Sequence, residues 1–171
     1  MAIDPLTLTH DYILDQFSQD TDITDIIPTT RFVDFNSKDI PDKRLAPSDY
    51  PALELAPVGI QYQLKGTSTS SIITLQWEIR LVTADKKLYK MFAYDTHKGL
   101  FKLTWALTKR LHNLRGDNEI LHDSASYPIN MHLDVDDAAI DLDFDSKKSL
   151  GWLGILRVNT VLYIPRSELD D

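Results

Sequence analysis

The chain has 171 residues, 43% of them hydrophobic and 26% charged, with six glycines, eight prolines and a formal charge of −8. That size suits one globular domain, here read as residues 1–171, and it excludes a collagenous or low-complexity chain. No apolar run approaches the roughly 20 residues needed to cross a bilayer as a helix, the opening MAIDPLTLTHDYILD does not read as a secretory signal, and the absence of cysteine excludes disulfides, thiol nucleophiles and cysteine-ligated zinc.

In chain order, Tyr12, Ile13, Leu14 and Phe17 recur at helical spacing, so residues 1–20 are expected to hold a first helix capped by Thr7 or Thr9. Ile23, Ile26 and Ile27 lead up to Pro28, and a short strand is expected from Thr30 to Phe35. The stretch NSKDIPDKRLAPSDY, residues 36–50, has two prolines, many charges and no periodicity, which predicts a long exposed loop suited either to contacting a partner or to simple mobility.

The middle of the chain alternates. Leu53 and Leu55, then Ile60, Tyr62 and Leu64, face GTSTSS at 66–71, which predicts a hairpin into a strand whose odd positions Ile73, Leu75, Trp77, Ile79 and Leu81 form one apolar face. Trp77 is expected to anchor the core. Leu100, Leu103, Leu107, Leu111 and Leu114 then follow steps of three and four, the signature of a helix with Asp95 or Thr96 as cap and Gly116 past its end. Trp105 and Lys109 fall off the leucine stripe and mark either a contact surface or a second packing face.

Period two returns in the last third. Ile129, Met131, Leu133 and Val135 predict one strand and Ile140, Leu142 and Phe144 another; Trp152, Leu156, Val158, Leu162 and Ile164 predict a final one, with Gly151 and Gly154 allowing a bulge and Pro165 ending it. An acidic tail follows at 166–171. Helix, strands, helix, strands reads as an α+β fold, an antiparallel or mixed sheet with two main helices packed on one side.

Charge is unevenly placed. Arg80 to Arg115 holds nine basic residues against two acids, whereas Gly116 to Asp145 holds nine acids and no lysine or arginine. Two readings follow: solvated faces of a monomer, or a basic face that meets the acidic face of a neighbouring copy, with Lys102, Trp105, Lys109 and Arg110 as interface candidates. The net charge argues against wrapping nucleic acid over a large surface.

Motifs for chemistry are missing. Five scattered histidines do not match a metal-site spacing, and GxSxG, GxxxxGK[ST] and GxGxxG are all absent. Asp141 to Ser146 imitates the opening of a calcium loop, but it lacks the turn glycine and places Trp152 where the bidentate glutamate belongs. No catalytic residue, cofactor or metal is therefore assigned, and the chain is expected not to be an enzyme.

The strand ITLQWEIRLVTADKK, the helix segment LFKLTWALTKRL and the closing strand GWLGILRVNTVLYIP resemble, over residues 50–165, small bacteriophage tail-terminator or tail-completion proteins of the head–tail junction. The resemblance implies a virion subunit that forms a ring, commonly hexameric, on the end of the tail tube and joins it to the head connector. Self, tail tube protein and connector protein would be its partners, with genomic DNA passing through and no sequence-specific nucleic-acid or membrane binding. On that view Asp134, Asp136, Asp141, Asp143 and Asp145 are candidates for a channel wall that repels phosphate; the rival placement is the outer surface or a neighbour's basic face. The alternative function is a cytosolic, non-enzymatic adaptor that binds one partner through residues 36–50.

Overall fold

A computed structural model describes residues 4–34, 51–63, 70–83, 100–113, 118–133 and 152–169. Within them lie a helix α1 (Pro5–Ser18), a single helical turn α2 (Thr21–Thr24), strands β1 (Phe32–Asp34), β2 (Ala52–Gln63) and β3 (Ser70–Thr83), a helix α3 (Leu100–Asn113), and strands β4 (Asn118–His122), β5 (Ala125–Leu133) and β6 (Trp152–Pro165). The strands form one sheet in the order β1-β2-β3-β6-β5-β4. Only β1 and β2 run parallel; the other four pairings are antiparallel.

The alternation read from β3 is the organising feature. Ile73, Leu75, Trp77, Ile79 and Leu81 are all buried, and across β6 they oppose Leu162, Thr160, Val158, Leu156 and Gly154. Directly opposed residues of paired strands point to the same side, so these positions make one continuous inner face. Helix α1 buries Leu8, Thr9, Ile13 and Phe17 against it, with the His10 ring 6.1 Å from that of Trp77. Leu103, Leu107 and Leu111 of α3 join the same core, as do Ile23, Ile26 and Ile27 beside α2. Both main helices therefore lie on one face of the sheet, an α+β arrangement. Apolar burial of this kind contributes about 25 cal/mol per Å² and holds the two layers together.

Parity explains the one irregular strand. The apolar positions of β2 switch from odd, at Leu53 and Leu55, to even, at Ile60 and Tyr62. A bulge between Pro57 and Gly59 absorbs the extra residue, so Leu55 opposes Ile79 and Ile60 opposes Leu75 on the same face. Proline cannot donate to the ladder, which suits it to this position. A Cβ on Gly59 would stand 2.7 Å from the side-chain oxygen of Gln76, so a larger residue here would require the Gln76 side chain to move aside.

Three expectations are corrected. Asp4, rather than Thr7 or Thr9, caps α1: its carboxylate accepts from the Leu6 N–H and the Thr7 hydroxyl, and Pro5 follows it at the first helical position. The strand expected from Thr30 to Phe35 opens instead as a 3₁₀ turn, Thr29–Arg31, with Phe32–Asp34 as strand and Phe35 outside the described residues, because the Pro28 carbonyl accepts from the Arg31 N–H. Gly154 produces no bulge, since β6 pairs with β3 in unbroken register from Pro165 to Trp152. Strand β4 was not foreseen; it joins β5 through a two-residue turn in which Asp123 and Ser124 take φ of 48° and 67°, the left-handed geometry of a type I′ hairpin. The strand expected at 140–144, the loop at 36–50 and the helix cap at Asp95 or Thr96 lie outside the described residues.

Two local contacts carry direct predictions. Asp4→Ala removes a cap and is expected to cost about 1 kcal/mol, read as a lower urea midpoint with unchanged m-value. At the other end of the chain the Tyr127 hydroxyl donates to the Glu168 carboxylate over 2.6 Å, tying β5 to the 3₁₀ turn Arg166–Glu168. That bond, with burial second, pushes the phenol from its ordinary 10.0 up to about 12. The folded state thus holds the proton longer than the unfolded chain, so the bond stabilises fully below pH 10 and is lost as pH rises through about 12. Absorbance titration should show a tyrosinate component near pH 12 that Tyr127→Phe removes; an identical curve from the variant would reject the assignment.

Candidate interaction surfaces

Three surfaces stand out, and the first is the sheet face turned away from the helices. Alternation places Glu54, Glu78, Arg80 and Arg157 there on three adjacent strands, in register. Arg80 donates to Glu78 from Nε at 2.9 Å and Nη2 at 2.6 Å, and approaches Glu54 at 3.6 Å; Arg157 approaches Glu78 from the other side at 3.6 Å. Two glutamates and two arginines balance in charge. Burial pushes the Glu54 carboxyl up, opposed by the attraction of Arg80. So balanced a cluster serves to hold three strands in register.

Helix α3 makes the second surface. Leu103, Leu107 and Leu111 are buried, so Trp105 and Lys109, each two residues and about 200° beyond a buried leucine, face outward. Trp105 is 61% exposed, and Lys102, Lys109 and His112 share its stripe at steps of three and four. Lys109 pairs with Asp22 at 3.1 Å, a contact more than half exposed on both sides and so easily exchanged for another carboxylate. Three of the four residues expected at an interface thus stand together. Arg110 is turned inward, its Nη2 donating to Gln16 of α1 at 2.6 Å, where it ties the two helices within one subunit.

The third surface is a groove of about 600 Å³ between α1 and β4. One wall carries Asp4, Asp11 and Asp15, and the other carries Glu119 and Asp123. Leu8, Tyr12, Ile120 and Leu121 also line the groove, and no lysine or arginine is among its described lining residues. Leu121 is 79% exposed, a large apolar side chain left in solvent. The groove did not emerge from the sequence reading, although Asp4, Asp11 and Asp15 follow steps of seven and four, spacing that puts them along one side of a helix.

The channel candidates Asp134, Asp136, Asp141, Asp143 and Asp145 lie outside the described residues. Among the described residues, no group of three or more histidine, aspartate or glutamate side chains could hold a metal ion, and no helix is long and apolar enough to cross a membrane. Neither a protein-family model nor a curated protein matches this chain.

Proposed function

We propose that this chain is a structural protein of the virion, forming a ring at the head-proximal end of a phage tail where it ends the tail tube and joins it to the head connector. The three segments that carry the resemblance fall on β3, α3 and β6, and these are adjacent in space: β3 pairs with β6 along its whole length, and α3 packs over both. A resemblance spread over distant strands would support the reading less. The observation that carries it furthest is Trp105, since a tryptophan left in solvent between two lysines on the helix layer marks a surface made to be covered.

Under this reading the surfaces act by assembly and no bond is made or broken. Carboxylates at Asp134, Asp136, Asp141, Asp143 and Asp145 are assigned to the channel wall, where they would repel passing phosphate. Light scattering followed by negative-stain imaging, with and without tail tubes, tests the proposal. Rings, in solution or only on tube ends, are the expected result; a monomer that ignores tubes would leave the adaptor reading in its place.

A further inference from the structure

One subunit exposes a basic, aromatic helix stripe and an acidic, apolar-lined groove that share no residue. We infer that the groove between α1 and β4 receives helix α3 of a second copy of this chain, with Trp105 seated against Tyr12 and Leu121 and the lysines set against the groove carboxylates. The inference rests on the ring proposal and supplies the subunit contact that a ring needs.

Charge complementarity selects this occupant. Five carboxylates rim the groove from both walls, and no lysine or arginine is among its described lining residues. Among the described residues, the outer face of α3 carries the half-buried Lys102 and the exposed Lys109 on either side of the exposed Trp105. Shape agrees with charge. A helix laid in a groove presents anchors at steps of three and four, the spacing of residues 102, 105, 109 and 112. The apolar lining and the protruding Leu121 then match the indole, and two exposed apolar groups are removed from water together.

Groove against helix is the arrangement that avoids like charges, since groove on groove would set five carboxylates against five more and helix on helix would set lysine against lysine. When each subunit gives its helix to one neighbour and its groove to the next, the contact is heterologous, and the chain of contacts closes into a ring if the rotation permits. Lys109 leaves Asp22 for a groove carboxylate without exposing an uncompensated buried charge, because both members of that pair already stand in solvent.

Charge exchange provides the test. One variant, Asp11→Lys with Asp15→Lys, makes the groove basic; the other, Lys102→Glu with Lys109→Glu, makes the helix acidic. Each alone sets like charges at the contact and should weaken self-association about ten-fold or more, whereas an equimolar mixture restores both kinds of contact in alternation and should recover assembly by light scattering. Circular dichroism and urea unfolding confirm that each variant is folded. Trp105→Ala, at an exposed position, weakens association without changing charge or fold and serves if a charge variant does not fold. Variants that assemble like the wild type, or a mixture that fails to recover, would overturn the assignment of these two surfaces while self-association stands. A wild type that stays monomeric alone and on tail tubes removes the ring proposal, and this inference with it.

Discussion

Replacing Trp77 with alanine is expected to lower the unfolding free energy by about 3–5 kcal/mol, the cost of emptying the centre of a packed core. Trp77 is 1% exposed and sits midway along the inner face, with Pro57 and Val158 opposite it on the two flanking strands. Its indole N–H donates to the Thr160 hydroxyl at 3.0 Å, and that hydroxyl reaches the Leu75 carbonyl at 3.3 Å. A tryptophan buried without a partner for its N–H would forfeit part of what its apolar surface contributes. Thr160 removes that penalty, which explains a polar residue on an otherwise apolar face of β6. Two further variants divide the effect. Trp77→Phe keeps much of the ring and loses the donor, and Thr160→Val keeps the shape and strands the indole; each is expected to cost about 1–3 kcal/mol. Urea unfolding with a shared m-value reads all three. A phenylalanine variant as unstable as the alanine one would show that volume is not what Trp77 supplies.

The second large effect is expected on the opposite face of the sheet. Glu78→Ala should destabilise the fold by about 2–3 kcal/mol, because it removes charge-assisted hydrogen bonds from a nearly buried acceptor. The Glu78 side chain is 9% exposed, whereas those of Arg80 and Arg157 are 30% and 49% exposed. The arginines therefore keep access to water after the substitution. That access holds the cost below the range for a fully buried pair deprived of one partner. Glu78→Gln retains the shape and an acceptor oxygen and should cost less than Glu78→Ala. A double-mutant cycle with Arg80→Ala isolates the pair; a coupling energy near zero would mean that Glu78 acts by packing alone.

Much of the fold was legible because period two and period 3.6 are written in the apolar residues. The odd positions of β3 identified the core face, and the leucines of α3 identified the helix that covers it. The reading failed where a single residue type outweighed the pattern. Asp4 takes the cap because a proline follows it in a position that needs no donor, while Thr9, a good cap by type, is buried inside the helix. Strand β4 escaped because its five residues expose three side chains and bury one, leaving no clean alternation, and because Asp123–Ser124 is a weaker turn signal than a pair ending in glycine.

For the candidate surfaces the division is similar. Trp105 and Lys109 were recognisable as outward-facing because a helix with a leucine stripe leaves only one other direction for them. Arg110 was grouped with them from its charge and its place in the chain, but it is one residue further round the helix, and a turn of about 100° per residue carries it from the solvent side to Gln16 of α1.

Sequence alone determined the elements whose identity depends on neighbours a few residues away: the inner face of β3, the buried stripe of α3 and the charge that separates its outer face from the acidic stretch beyond. Tertiary structure decided whatever depends on residues far apart in the chain. The pairing of Glu54 with Arg80 and of Glu78 with Arg157 joins residues more than a hundred positions apart in one cluster, and the acidic groove exists only because α1 is brought beside β4. Local periodicity records which way a side chain points; it carries no record of what the folded chain places opposite it.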